Sequence, residues 1–150
     1  MSAGETVHGS AVAIDGRGIL IRGRSGSGKS SLVLGLIDRD PARTRLVADD
    51  RVALAVDGDR LVATVPAAIA GKLEVRGIGV VDLPHVPSCP VALVVDIRPP
   101  AECERMPAAG ALATTLLGIA VPRFMLPHGA PDGPARVRFA LAHLAVGKST

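Results

Sequence analysis

The chain has 150 residues, which suits one domain whose core removes roughly 70% of the unfolded surface from water. It has no Trp or Tyr, and Phe124 and Phe139 are its only aromatic residues, so base stacking on aromatic platforms, the usual grip on single-stranded nucleic acid, is nearly excluded. The net charge of +3, from 17 basic and 14 acidic residues without a basic run, also argues against a nucleic-acid surface and leaves room for an acidic protein partner.

Three further features bear on the compartment. Cys89 and Cys103 lie far apart without metal-ligand spacing, which is typical of reduced cytosolic thiols. The N-terminus MSAGETVHGS has neither a basic nor an apolar segment of a secretory signal. Residues 106–122 carry no charge, but Pro, Gly and Thr interrupt them and they are short for a membrane span. We therefore expect one soluble cytoplasmic domain over residues 1–150.

The first half of the chain predicts a hairpin, a loop and a helix. VHGSAVAID and ILIRG flank the turn residues GRG, which is typical of two antiparallel strands. The glycine-rich loop follows directly. Apolar residues at 32, 33, 36 and 37 then have helical spacing, and Pro41 ends the helical region.

The second half predicts more strands than helices. RLVADD is a short apolar run that closes on two acids, and RVALAVDGDRLVATV predicts a second hairpin that turns at Asp57–Asp59. LEVRGIGVVDLP predicts loop mixed with one short strand, PVALVVDI a strand buried on both faces, and RPPAECERMP a loop. DGPARVRFALAHLAVG predicts a final helix, with Asp132 near its cap and Pro134 in its first turn. The pattern favours an α/β domain with a mixed or largely antiparallel sheet and a few helices.

The segment GRSGSGKS, residues 23–30, matches the P-loop pattern G-x-x-x-x-G-K-[ST] at every fixed position. Its glycines let successive backbone N–H groups point at phosphate oxygens, and the following helix adds its positive N-terminal end. Lys29 is expected to reach the terminal phosphates and the Ser30 hydroxyl to ligate Mg²⁺. The residues predicted to contact the nucleotide are Gly23, Arg24, Ser25, Gly26, Ser27, Gly28, Lys29, Ser30 and Ser31.

A phosphotransferase also needs an acid for the metal and a base for a hydroxyl acceptor. Asp96 ends the apolar strand PVALVVD, where a Walker B acid would stand. The pair Asp49-Asp50 ends RLVADD, where two carboxylates beside a phosphate site could divide the two tasks. On the pattern alone both places remain open: Asp96 could be a strand-end residue entering a loop, and the pair could be a polar turn between strands.

The order GRSGSGKSS, RLVADD and LEVRGIG, with VHG upstream, resembles the HPr kinase/phosphorylase family. LEVRGIG is the specific element, because many P-loop proteins contain GKS and few follow it with this heptapeptide. The resemblance runs from about Val7 to Arg105 and corresponds to the catalytic domain alone, as in the short alphaproteobacterial type.

The resemblance implies a P-loop fold similar to phosphoenolpyruvate carboxykinase. It implies transfer of a phosphoryl group from ATP, with Mg²⁺, to a regulatory serine of HPr, the phosphocarrier of the phosphotransferase system. It also implies a hexamer, and the reverse phosphorolysis that many members carry out.

Carried over by position, Asp49 resembles the base that takes the serine proton, and Asp50 would assist it. Glu74 matches the second magnesium ligand beside Ser30, and Arg76 belongs to the same signature. The remaining matches are His8, near the transferred phosphate, and Arg105, in the phosphate site. The resemblance thus favours the Asp49-Asp50 pair over Asp96.

The sequence departs from the family pattern in two places. Ser31 stands where members commonly carry an acid, and the C-terminal Pro-Val-x-Pro-Gly-Arg segment reads FMLPHGAPDGPARVR, with Pro127 and Arg136 as loose counterparts. Kinase activity is therefore better supported than phosphorylase activity. His85, His128 and His143 lack metal-ligand spacing and are interpreted as structural or surface residues.

Two other functions remain as alternatives. A small-molecule kinase would share the P-loop, although LEVRGIG and the lack of an evident lid segment argue against it. A nucleotide-binding regulatory module would sense ATP with little turnover and signal through a partner.

Overall fold

Strands dominate the protein, as the alternation of turn residues and short apolar runs predicts. The computed structural model describes residues 4–145. The strands are β1 Glu5–Ile14, β2 Arg17–Arg22, β3 Thr44–Ala48, β4 Arg51–Asp57, β5 Arg60–Thr64, β6 Lys72–Val75, β7 Gly79–Asp82, β8 Ser88–Arg98, β9 Ala113–Leu116 and β10 Ile119–Pro127. The helices are α1 Lys29–Arg39 and α2 Gly133–Leu144, with short 3₁₀ turns at Ala67–Ile69, Pro100–Glu102 and Ala109–Leu112.

The first hairpin closes through a two-residue turn. Ile14 pairs with Arg17, so the turn consists of Asp15 and Gly16, which have φ values of 50° and 77°. Two successive left-handed residues match the right-handed twist of the flanking strands. The hairpin is present as expected, but the turn lies one residue earlier than the predicted GRG, because Asp tolerates the left-handed conformation and Gly adopts it freely.

Five strands form a hydrogen-bonded circuit in the order β2, β1, β4, β5 and β8, which β2 and β8 close by pairing with each other. β3 pairs with β1, and β10 followed by β9 extends the sheet beyond β8. The β2–β8 and β8–β10 pairs are parallel and the other pairs are antiparallel. This confirms the predicted α/β class with a mixed, largely antiparallel sheet.

Two apolar cores lie on opposite faces of the central strands. One, here called the helix core, contains residues of α1 and α2 and is joined by Leu93, Val95 and Ile97 of β8. The other, here called the strand core, is formed mainly by strand residues and is joined by Val94 of β8. This alternation is the period of two expected for a strand buried on both faces. The strand core is built almost entirely from Ala, Val and Leu side chains, which suits a sequence almost without aromatic residues.

The structure departs from the prediction in two hairpins. LEVRGIGVVD forms two strands, β6 and β7, rather than loop with one short strand, and they pair as a separate small sheet. The hairpin of β9 and β10 was not predicted at all; it turns at Leu117 and Gly118, with φ values of 49° and 81°. Pro122 and Pro127 within β10 hide its strand character in the sequence.

The last helix was expected over DGPARVRFALAHLAVG and spans Gly133–Leu144, with Asp132 as its N-cap residue; Val146 and Gly147 lie outside the described residues. Among the described helices, none has the length and apolar character required to cross a membrane.

Candidate active site

The P-loop connects the end of β2 to the start of α1, as its position after an apolar strand predicts. Gly26 and Gly28 have φ values of 79° and 102°, a left-handed region that favours glycine. Gly28 is the N-cap residue of α1, and within residues 4–145 the helix has no side-chain hydrogen bond at its N-cap. The N–H groups of this turn are therefore available to an anion.

The ammonium group of Lys29 is held inside the loop. Its Nζ donates to the carbonyl oxygens of Gly23 and Arg24, both at 2.8 Å, and the residue is 7% exposed. Burial lowers the pKa of Lys29, while Asp50 and Asp49 act in the opposite direction. A phosphate bound at the loop would supply the counter-charge that this buried cation lacks.

Asp49 follows β3 and is fixed by two serine hydroxyls. Ser30 Oγ donates to its Oδ1 and Oδ2 at 2.9 and 3.2 Å, and Ser10 Oγ donates to Oδ1 at 2.8 Å. The antiparallel pairing of β3 with β1, where Ala48 lies opposite Ala11, brings Asp49 to Ser10. A half-buried carboxylate is thereby held against the P-loop serine.

Asp50 is held differently from its neighbour. It adopts a φ of 76°, and its carbonyl oxygen accepts a bond of 3.1 Å from the Gly9 amide. Its Oδ1 lies 3.1 Å from His8 Nε2, and both side chains are exposed, at 70% and 50%. An exposed pair of this kind adds little to stability, so both groups remain available to a ligand.

A cleft of about 1050 Å³ opens over these groups. Glu74 of β6 and Arg76 of the following turn form part of its wall, which places LEVRG beside the P-loop although about 45 residues separate them in sequence. The predicted site residues that line the cleft are His8, Ser25, Gly26, Ser27, Gly28, Lys29, Ser30, Ser31, Asp49, Asp50, Glu74 and Arg76.

Three predicted residues lie elsewhere, as does the rival acid Asp96. Gly23 and Arg24 line a second cavity rather than the cleft. Arg105 is exposed on the loop after Pro100–Glu102 and does not line the cleft formed by the described residues. Asp96 also lines the second cavity, where its carboxylate binds Arg22.

Sequence reasoning missed two residues of the site. Ser10 is fully buried on β1, two residues after His8, and a polar side chain inside an apolar strand was the available signal. His128 follows β10; its Nε2 lies 3.3 Å from the Gly26 carbonyl oxygen, and it lines the cleft. It was interpreted as structural or surface because it lacks metal-ligand spacing, a criterion that cannot detect a nucleotide contact.

The oxygen atoms in the cleft fit a magnesium ion. Ser30, Asp49, Asp50 and Glu74 offer a hydroxyl and carboxylates, the hard ligands that Mg²⁺ prefers. Within residues 4–145, no three His, Cys, Asp or Glu side chains are grouped to hold a metal by themselves. Such a donor set suits an ion that takes further ligands from nucleotide phosphates and water.

Comparison with known proteins agrees with this geometry. Residues 1–127 match the family model for the HPr Serine kinase C-terminal domain. An HPr kinase/phosphorylase of Limosilactobacillus reuteri is 36% identical over 134 residues, covering 82% of the chain and 41% of the relative. One from Clostridium tetani is 42% identical over 92 residues, covering 61% of the chain and 28% of the relative.

Among solved structures, the Hpr(Ser) kinase/phosphatase from Coxiella burnetii superposes with a TM-score of 0.81 at 28% identity, covering 96% of this chain and 92% of that one. The chain spans about two-fifths of the length of the Limosilactobacillus relative. With a P-loop, an acid pair and the Glu-Val-Arg of LEVRGIG lining one cleft, and a family model matched over most of its length, the chain belongs to the HPr serine kinase C-terminal domain family.

Proposed function

We propose that the chain is the catalytic domain of an ATP-dependent protein kinase that phosphorylates a serine of HPr. The observation that carries the proposal is the contact between Asp49 and Ser30, with 2.9 Å between Oδ1 and Oγ. The serine of a P-loop is the group that ligates the metal at the terminal phosphates, so a carboxylate bound to it would stand beside the transferred group. A base at that point can reach a hydroxyl that approaches the transferred phosphoryl group.

In the proposed reaction, the amides of the P-loop bind the nucleotide phosphates and Lys29 neutralises charge on the transferring group. Asp49 orients the serine hydroxyl of HPr and accepts its proton as the serine oxygen attacks the γ-phosphorus and ADP leaves. The two serine hydroxyls that hold Asp49 keep it in place before the acceptor arrives. A bound Mg²⁺, held by Ser30 and Glu74, would supply further charge neutralisation at the phosphates.

The other cleft residues have supporting roles in this proposal. Asp50, next to Asp49 and paired with His8, would assist the base, and His8 would contact the transferred phosphate. Arg76 would add positive charge on the LEVRG wall. Arg105 can contribute to the phosphate site if its loop moves or if another copy of the chain supplies it, as a hexamer would allow.

The kinase direction is better supported than phosphorolysis. Pro127 and Arg136 are the loose counterparts of the family's phosphorolysis segment. Pro127 lines the cleft. The guanidinium group of Arg136 instead donates to the carboxylate of Asp132, with 2.9 Å between Nε and Oδ2. We extend the proposal to a fold of the phosphoenolpyruvate carboxykinase-like P-loop type, because a P-loop here follows a strand of a largely antiparallel sheet.

The test is intact-mass spectrometry of HPr from the same organism after incubation with the protein, Mg²⁺ and ATP. We expect one added phosphate on a serine with the wild-type chain and far slower addition with Asp49→Asn, while calorimetry shows similar ATP affinity for both. Binding of ATP without transfer to HPr would contradict the kinase and favour the sensor. Transfer to small hydroxyl compounds instead of HPr would favour the small-molecule kinase.

A further inference from the structure

The nucleotide cleft has two unlike walls. Charged side chains gather beside the P-loop serine, where Ser30 donates to Asp49. Another part of the wall contains no Asp, Glu, Lys or Arg and is here called the apolar wall; it consists of Leu34, Pro127, His128, Ala130, Pro131 and Pro134. The proposed phosphoryl transfer uses none of these six side chains.

The apolar wall is built where α1 meets the loop that leads to α2. A Cβ atom at Gly35 of α1 would stand 2.8 Å from Cγ of Pro134, so glycine permits the close approach of the two helices. Leu34, the residue before it, is 40% exposed although its side chain is large and apolar. Exposed apolar surface inside a concave site is typical of a place that receives an apolar part of a ligand.

The loop after β10 is a tight turn that fixes the backbone of His128. The Ala130 amide donates to the Pro127 carbonyl oxygen at 3.2 Å, and Gly129, the third residue of this turn, has a φ of 77°. A type II turn requires this conformation at its third position, where glycine is favoured. The amide of His128 also donates to the Arg98 carbonyl oxygen at 2.9 Å, which ties the turn to the end of β8.

The imidazole ring of His128 joins the apolar wall to the P-loop. Its Nε2 lies 3.3 Å from the carbonyl oxygen of Gly26. Because a carbonyl oxygen only accepts, Nε2 is the nitrogen that carries the hydrogen in this contact. The residue is otherwise exposed, so a ring held by one edge can offer a face to a planar group of a ligand.

The shortage of aromatic residues gives this ring particular weight. The chain has no Trp or Tyr. Phe124 packs against the helix core and Phe139 is exposed on α2, and neither lines the cleft formed by the described residues. The rings that do line the cleft are those of His8 and His128, and His8 is already paired with a carboxylate. His128 is therefore the ring available for stacking.

We propose that the apolar wall is the nucleobase subsite of the cleft and that the imidazole of His128 stacks on the base. The inference rests on the proposed function, since it assumes a nucleoside triphosphate whose terminal phosphates lie at Lys29 and Ser30. The nucleoside then leaves the P-loop towards another part of the cleft, and the apolar wall offers surface for a flat ring. Stacking and aliphatic contacts hold a base through its face. The volume of about 1050 Å³ has room for a whole nucleotide.

The experiment compares two ligands that share a chain of three phosphates, ATP and inorganic tripolyphosphate. Each is titrated calorimetrically, with Mg²⁺, into the full chain and into variants of His128. We expect His128→Ala to weaken the binding of ATP about tenfold, because the base loses its stacking partner. The affinity for tripolyphosphate should stay the same, because that ligand has no base.

Two further variants separate stacking from the bond to Gly26. His128→Phe keeps a ring without the donor and should bind ATP within about threefold of the wild-type chain. His128→Asn keeps a donor without the ring and should resemble His128→Ala. His143→Ala is the matched control, because Nδ1 of this exposed histidine also lies near a backbone carbonyl oxygen, that of Phe139 at 2.8 Å, but the residue does not line the cleft.

Equal weakening of ATP and tripolyphosphate binding in His128→Ala would overturn the subsite, because the ring would then act only through the phosphate loop. Unchanged ATP binding in His128→Ala would overturn it too, as would wild-type affinity in His128→Asn with a loss in His128→Phe. The kinase can fail separately: if His128→Ala weakens ATP binding alone while HPr receives no phosphate from the wild-type chain, the subsite stands and the proposed acceptor is wrong. Binding of neither ligand to the wild-type chain would overturn both proposals.

Discussion

Two acidic sites that look alike in the sequence have different surroundings in the structure. Asp49, directly after β3, accepts hydrogen bonds from two serine hydroxyls and faces the cleft of the P-loop. Asp96, near the end of β8, is held by Arg22 and Arg123 and faces the second cavity. Both carboxylates stand near the P-loop, but Asp49 is bound by neutral hydroxyls, whereas Asp96 is ion-paired with two guanidinium groups.

The comparison shows why an acid at the end of an apolar strand is a weak functional signal by itself. The chemistry of the carboxylate depends on the side chains that the neighbouring strands bring to it. For Asp49 these come from β1 and α1, and for Asp96 from β2 and β10. Experiments that exchange or remove these neighbours test the distinction.

The largest effect is expected for Asp49→Asn. Loss of the base should lower the rate of phosphoryl transfer to HPr by about 10²–10⁴-fold, measured as initial rate by mass spectrometry. Asp50→Asn is the matched control and should cost less, because Asp50 is 70% exposed and contacts neither serine. A larger loss of rate in Asp50→Asn than in Asp49→Asn would mean that the roles are reversed, with Asp49 holding the metal and Asp50 taking the proton.

Asp96→Asn should act on stability rather than chemistry. Removing the carboxylate leaves two partly buried guanidinium groups without a counter-charge, which should lower the free energy of unfolding by about 3 kcal/mol in urea titrations. Asp82→Asn, in an exposed pair with Lys72, should leave the urea midpoint unchanged. A stable Asp96→Asn protein without transfer activity would place Asp96 in the reaction and remove the contrast with Asp49.

Ser10→Ala tests whether Asp49 depends on its neighbours. The variant removes one hydroxyl donor to the carboxylate, so kcat should fall about tenfold while KM for ATP stays the same. Ser10→Thr keeps the hydroxyl and should recover most of the rate. An unchanged kcat in Ser10→Ala would mean that Ser30 alone suffices to position Asp49.

A smaller effect concerns the buried thiol of Cys89. Burial raises the pKa of its thiol to about 11, with Arg60 opposing the shift. The folded pKa lies above the unfolded value, so this contribution to stability is present below about pH 9 and is lost as the pH rises towards 11. Urea titrations between pH 8 and 11 should therefore show a shallower decline for Cys89→Ser, and parallel declines would contradict the assignment.

Much of the fold could be predicted because its signals are local. The P-loop, the first two hairpins, α1, the buried strand β8 and α2 all follow from periodicity, turn residues and caps within short windows. The β9–β10 hairpin could not be predicted in the same way, since its two prolines and uncharged surroundings obscure the strand pattern. Its parallel pairing with β8 is a contact between residues distant in sequence.

By itself, the sequence determined the phosphate-binding loop, the acid pair and the LEVRGIG signature, because each is a contiguous run whose chemistry lies in its residue types. Only the tertiary structure decided that Ser10 binds Asp49, that His128 lines the cleft beside the P-loop, and that Arg22, Asp96 and Arg123 form an ion cluster with excess positive charge. The physical reason is that strand pairing brings distant residues together, and the charge and hydrogen bonding of each group depend on those neighbours.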